Sequence, residues 1–467
     1  MSDYVLHPTT RLDLATLDAL LTDQGRVVLS PEARQQIEAG HAHLLAQAAG
    51  NDQSPASQLL AHTYGTGEEV SGELVRLMLL LKAQSLSYGH SGAQVATVQR
   101  LLDFYNREML PVVYQQGSLG AGDQVPLAHL GLPLLGLGEV NFQGYRLQTA
   151  DAFHLFSWEP VPLAPGEDLA LLTGTQFMLA YGVHTLLRAQ RLARAADVVG
   201  ALSHDVFGGS MEPFDARLQA LRPHAGQMLV AERLRNLLVD SKLTQQPRSA
   251  EQTPYSFRCQ PQVHGASRDA LSYVAQVLET ECNSVTAAPA FFPANNTTLL
   301  GGNFHGQPLA MTLDFLAIAI AELGSISERR TAQLLISHSE VSRLGTAPSF
   351  PMMQHTAVSI VSQNKQLCTP ASLDNNSGST GLTDHVSMGA NAATKARRVL
   401  ENTEQVLAIE LLAAVQVLYL RRPAHTSPAL EQVVAALEEK VDLKTQSQAS
   451  YLALQATASF VRTYAWQ

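Results

Sequence analysis

Asp123 closes a glycine-rich run, Gly117-Ser118-Leu119-Gly120-Ala121-Gly122-Asp123-Gln124-Val125-Pro126-Leu127. A carboxylate enclosed by such a turn, with its pKa raised, can act as a base; it can equally be a structural anchor. Upstream, Leu59-Leu60-Ala61-His62-Thr63-Tyr64-Gly65-Thr66-Gly67 sets an imidazole and a phenol close together. His62 is a candidate acid, base or substrate contact, and its plain alternative is a ring hydrogen-bonded to backbone near a helix start. Tyr64 is a candidate base, or a packed aromatic. Other chemistries lack their signatures. His129, His264, His305, His338 and His385 show no His-x-x-x-His spacing and are read as structural. Cys259, Cys282 and Cys368 are scattered and odd in number, which signals neither a zinc site nor a disulfide framework and leaves buried free thiols as the expectation. The glycine run has no Gly-Lys-Ser ending and no flanking strand–helix pattern, so it is not a phosphate loop.

The chain that must position these groups has 467 residues, 46% of them hydrophobic, which is ample material for a large core without a membrane. A net charge of -10, with no cluster of Lys and Arg alternating with aromatics, argues against a nucleic-acid partner. The most apolar windows, Leu309 to Leu323 and Val406 to Leu420, are interrupted by Asp314, Glu322, Glu410 and Gln416. Both fall short of the ~20 uninterrupted apolar residues of a bilayer span and read as core helices, with no membrane partner. Met1 to Leu20 carries Asp and Arg inside its apolar stretches and lacks a leader pattern, so a cytoplasmic location is expected.

Helical periodicity runs from about Ser30 to Ala49, opened by Ser30-Pro31-Glu32, then over Gly72 to Ser87, Gln94 to Glu108 and Gly166 to Leu202. Gly117 to Gln148 reads instead as turns, short strands and tight packing. Leu309, Leu313, Leu316, Ile320 and Leu323 mark one long helical face, and Val406, Ile409, Ala413, Val417 and Leu420 another. Rods of this length favour a bundle that continues across subunits, hence a homo-oligomer. Ser241 to Thr253 and Asp374 to Thr383, polar and rich in small residues, read as loops long enough to line a site.

Six ordered stretches carry a family resemblance: Gly117 to Ala121, Ala170-Leu171-Leu172-Thr173-Gly174-Thr175-Gln176, Pro254 to Val263, Gly301-Gly302-Asn303-Phe304-His305, Ser327-Glu328-Arg329-Arg330 and Asp384-His385-Val386-Ser387-Met388. In order and spacing they resemble the histidine ammonia-lyase pattern of the aromatic amino acid ammonia-lyases, from about Val27 to the C-terminal region. The resemblance implies a mainly all-α fold, an ammonia-lyase/fumarase-like long central helical bundle with a smaller mixed N-terminal region. It divides the chain into 1–200, which holds the loop 117–127, and 201–467, which holds the bundle and C-terminal helices. It also implies a homotetramer with each site built from more than one subunit, and a methylidene-imidazolone ring made from an internal Ala-Ser-Gly, whose exocyclic carbon lets ammonia depart.

The pattern breaks where that ring is made. The family motif Gly-Ser-x-Gly-Ala-Ser-Gly-Asp-x-x-Pro-Leu appears here one residue shorter, and the serine is the residue missing. That serine supplies the hydroxyl lost to create the methylidene carbon, so an open peptide and no cofactor are expected. The family's mobile loop, which carries the tyrosine assigned as base, has no full counterpart. The better alignment makes His62 the family's site histidine and deletes the loop; a second makes Tyr64-Gly65 its remnant. Thr173 stands for the family's site asparagine and Thr383 for its site glutamate. Gln252, Tyr255, Arg258 and Phe304 match family site positions: by resemblance Arg258 binds the substrate carboxylate, Tyr255 exchanges a proton, Phe304 walls the pocket and Gln252 orients a polar group. Arg258 also has a structural alternative, pairing with an acidic side chain in a helix interface.

The reading is therefore a divergent lyase homologue that uses no methylidene-imidazolone and acts on a small carboxylate-bearing, aromatic substrate by acid–base elimination or isomerisation. His62, Tyr64, Tyr255 and Asp123 are its candidate catalytic groups, and Arg258, Gln252, Phe304, Thr173 and Thr383 its candidate substrate contacts; no metal is expected. Two alternatives stay open: a non-catalytic ligand-binding or partner subunit, whose partner would be a paralogous lyase, and a conventional histidine ammonia-lyase.

Overall fold

The computed structural model describes residues 3–23, 25–47, 54–246, 253–337, 350–375, 381–441 and 450–466. Gln252, His338 and parts of the two expected loops, 247–252 and 376–380, lie outside the described residues. The chain is mostly helical with a few short strands, and it divides into two compact units: 1–184 with 275–314 and 370–394, and 185–274 with 315–369 and 395–467.

The first unit carries the strands. Tyr4–Leu6 pairs in parallel with Val27–Leu29, and Thr66–Glu69 pairs antiparallel with Tyr114–Gln116. Leu110–Pro111, Glu139–Phe142 and Tyr145–Gln148 form a three-stranded antiparallel sheet in that order. Its hairpin turns at Gln143-Gly144, both at positive φ, a pairing that suits the twist of a two-residue loop. The mixed segment read from Gly117 to Gln148 thus holds a hairpin, but also the short helix Gln124–Gly131.

The helices Pro31–Gln47, Gly72–Ser87 and Val95–Arg107 fall where the periodicity put them. A Cβ at Gly40 would meet the Gly89 carbonyl at 1.8 Å, so a glycine there lets Pro31–Gln47 lie directly against the chain leaving Gly72–Ser87. The span expected as one helix from Gly166 to Leu202 is two, Glu167–Leu172 and Gln176–Phe207. The Thr173 hydroxyl bonds back to the Leu169 carbonyl at 2.6 Å, and Gly174 adopts φ +154, which no helix accommodates.

The second unit holds a buried ionic web. Arg330 and Glu410, both fully buried, pair through Nε–Oε1 at 2.5 Å and Nη2–Oε2 at 2.9 Å. Arg330 Nη1 also lies 3.2 Å from His264 Nε2; since arginine only donates, that nitrogen accepts, and His264 Nδ1–H donates to Asp197 at 2.9 Å. Burial alone would raise Asp197, but the bond from His264 and the charges of Arg268 and Arg233 outweigh it and hold its carboxyl below the usual range.

The helices Gln307–Ser337 and Gly389–Arg421 are long and apolar enough to cross a membrane, yet most of their apolar windows are buried in the protein. Leu309, Leu313, Leu316, Ile320 and Leu323 are all buried, as are Val406, Ile409, Ala413 and Val417; Leu420, near the end of its helix, is 45% exposed. The three cysteines are free thiols, Cys282 buried and Cys259 and Cys368 half-buried.

Candidate active site

Gly117 to Asp123 is fastened on every side within the first unit. Gly120 donates to Ser118 Oγ at 3.0 Å, and its carbonyl accepts from Ser387 Oγ at 2.7 Å and the Gly306 amide at 2.9 Å. Leu119 accepts from the Met388 amide at 2.9 Å, and Ala121 bridges to His305. A Cβ on Gly120 would lie 2.3 Å from Ser387 Oγ and 2.5 Å from the Gly389 amide, so the turn admits only glycine there.

Asp123 is fully enclosed and non-glycine, yet sits at φ +45. Its Oδ1 accepts from Ser118 Oγ at 2.6 Å and its Oδ2 from the Met178 amide at 3.1 Å, in the first turn of Gln176–Phe207. A carboxylate at a helix N-terminus is favoured by the aligned peptide dipoles. Burial nevertheless pushes Asp123 up to about 6, with those hydrogen bonds and the Lys82 charge pulling the other way.

Lys82, on Gly72–Ser87, is buried, and its Nζ donates to the Thr173 carbonyl at 2.8 Å; burial lowers it to about 7, against the pull of Asp123. The next amide, Gly174, donates to the Gly122 carbonyl at 3.1 Å. Phe304 faces the same turn: a Cβ on Gly122 would lie 3.7 Å from its ring.

His62 ends the helix Pro55–Ala61, and its ring Nδ1 lies 2.7 Å from the Gln58 carbonyl. Nδ1 therefore carries a proton and donates to that carbonyl. Tyr64 is 81% exposed. His129, whose pKa burial lowers, accepts from the Gly65 amide at 3.1 Å and meets the Tyr114 ring edge-on. His305 Nδ1 accepts from the Gln307 amide at 3.3 Å, so its Nε2–H donates to His385 Nδ1 at 3.3 Å. Thr383 is exposed. In the second unit, the Arg258 guanidinium stacks on the Tyr255 ring at 4.5 Å, and this side chain has no hydrogen bond or ion pair among the described residues. No cluster of three or more potential metal ligands occurs among the described residues.

A profile of the family described as aromatic amino acid lyase matches residues 51–439. The chain belongs to the aromatic amino acid lyase family. A histidine ammonia-lyase from Symbiobacterium thermophilum is 43% identical over 463 residues, covering 92% of this chain and 91% of its own. One from an Anaeromyxobacter strain is 39% identical, covering 96% and 97%. Among solved structures, histidine ammonia-lyase from Trypanosoma cruzi superposes with a TM-score of 0.89 at 34% identity, covering 99% of this chain and 93% of that one. The ergothioneine-degrading enzyme of Treponema denticola shares the fold, with a TM-score of 0.90 at 22% identity and 99% coverage of both chains.

For a lyase of this family, five of the positions picked from sequence form two groups, while His62, Tyr64 and Thr383 join neither. Asp123, Thr173 and Phe304 meet around one turn in the first unit, and Tyr255 and Arg258 meet in the second. Lys82 was not among them. Its signal was a charge set inside Leu79-Leu80-Leu81-Lys82-Ala83, an apolar run where an ammonium needs a partner.

Proposed function

We propose that this chain acts on a small carboxylate-bearing, aromatic molecule by acid–base elimination or isomerisation, without the methylidene-imidazolone ring. Arg258 binds the carboxylate, with Gln252, Phe304, Thr173 and Thr383 completing the ligand contacts. Tyr255, His62 and Tyr64 are the candidate proton carriers; Asp123, fastened at both oxygens, is the weakest of the four. The protein works as a homo-oligomer, a tetramer in this reading, in the cytoplasm.

The observation that carries the ligand class is Arg258: a half-buried guanidinium stacked on a tyrosine, with no carboxylate of its own among the described residues. A planar fork so placed is matched by a ligand carboxylate.

The ring does not fit the residues present. Positions 121–123 are Ala, Gly and Asp, with no hydroxyl to lose, and the hydroxyl beside them, Ser118, is committed to Asp123. Positioned acid–base groups contribute about 10²–10⁴-fold, enough for a ready leaving group and too little for unaided loss of ammonia.

The second reading is conventional histidine ammonia-lyase, and the names of the relatives favour it over the ring-free one. Incubation with histidine, phenylalanine and tyrosine, followed by the ultraviolet absorbance of urocanate or cinnamates, separates the two. We expect no product; sustained urocanate formation establishes the conventional reading instead.

A further inference from the structure

Lys82 is a cost to the fold unless something uses it. The whole side chain is buried, and an ammonium taken out of water must be bound by dipoles or charge. Its Nζ is bonded to the Thr173 carbonyl, and among the described residues the Asp123 carboxylate supports its charge. From that carbonyl a continuous set of bonds runs on: the Gly174 amide to the Gly122 carbonyl, then through the chain to Asp123, whose carboxylate takes Ser118 Oγ and the Met178 amide. Lys82 thus stands at the head of a linkage joining Gly72–Ser87, the break at 173–175 and the turn 121–123. Thr173, whose hydroxyl is spent on Leu169, cannot hold its own peptide plane towards Gly122.

We propose that Lys82 is a positioning residue of the ligand site, its ammonium fixing the Thr173–Gly174 peptide and, through Gly122, the backbone of the turn 121–123. This rests on the proposed function in so far as Thr173 and Phe304 face the ligand. The arrangement is sensitive to pH. Burial lowers Lys82 to about 7 and raises Asp123 to about 6, so the ammonium and carboxylate coexist within a narrow band. Above it Nζ loses its charge and the bond to Thr173 weakens towards that of a neutral amine.

The test compares the full chain with Lys82→Met, which keeps the buried stem, and Lys82→Arg, which stays charged. Without ligand, hydrogen exchange is followed over 117–124 and 170–178, with 320–335 as an internal reference. In Lys82→Met the first two segments should exchange at least about tenfold faster with the reference unchanged, and Lys82→Arg should restore protection. Unchanged protection, or equal loosening of all three segments, overturns the proposal.

The second arm measures cinnamate binding, since its carboxylate does not titrate in the range used. The natural chain should lose about tenfold in affinity between about pH 6.5 and about pH 8.5, Lys82→Arg should hold its affinity throughout, and Lys82→Met should bind weakly with a flat profile. Identical pH profiles in the natural chain and Lys82→Arg overturn the proposal. Failure of the natural chain to bind cinnamate at any pH counts against the ligand class instead, and the exchange arm still decides on Lys82.

Discussion

Arg258 and Asp123 are opposite solutions to placing a charge inside a protein. Arg258 is half-buried against Tyr255 and keeps its donors uncommitted among the described residues, whereas both oxygens of Asp123 are bonded. A free fork is what a ligand carboxylate requires. Arg258→Ala should therefore abolish the thermal stabilisation given by aryl carboxylates, since truncating one partner of a hydrogen-bonded charge pair costs about 2–5 kcal/mol. A full shift retained in the variant excludes Arg258 as the clamp. For Asp123 the sign follows from its raised pKa. The folded chain holds a proton that the unfolded chain releases between the ordinary 3.8 and about 6, so this group contributes stability below 3.8 that is lost as pH rises through about 6. Asp123→Asn, which keeps an acceptor and never ionises, should gain on the natural chain from pH 4 to about pH 6 and then level off in denaturant unfolding. A constant gap between the two would mean that burial does not penalise this carboxylate.

Helices make up the scale at which the sequence was most legible, and the exceptions have physical causes. Pro31–Gln47, Gly72–Ser87 and Val95–Arg107 follow from periodicity because each buries one side or all of itself in a core. The break at Thr173-Gly174-Thr175 was not legible, because the apolar pattern runs unbroken across it from Leu171-Leu172 to Phe177. What interrupts the helix is the Thr173 hydroxyl and a backbone angle at Gly174, and neither leaves a trace in hydrophobicity. The turn 117–123 was legible as a motif, but its fastening to Ser387, Gly306 and Met388 comes from chain distant in sequence. Gly120→Ala should cost at least about 1–3 kcal/mol of stability, because φ +76 and two contacts under 3.0 Å leave a Cβ no room; an unaltered melting temperature would show that the turn can yield. In the second unit, Arg330→Met leaves Glu410 buried and unpaired and removes the donor facing His264 Nε2. Urea unfolding should register a loss of about 3–5 kcal/mol, largely recovered when Glu410→Leu is added. Equal losses in the single and double variants would place the cost in packing rather than charge.

At the scale of the whole chain, six short motifs carried the family and, with it, the mainly helical fold; the family profile over residues 51–439 and the superposition on solved lyases agree with both. The catalytic outcome does not follow from fold, since one scaffold hosts different chemistries through its site residues. Relatives that share about two fifths of their residues with this chain are named histidine ammonia-lyase, while the residues at 121–123 lack the hydroxyl from which the family's ring is made. Mass spectrometry of the intact, purified chain addresses that conflict most directly, because closing the ring and eliminating the hydroxyl together remove two molecules of water. The expected result is the unmodified mass encoded by the sequence. A chain lighter by two waters, with the loss mapping to a peptide spanning Ala121 to Asp123, would contradict it.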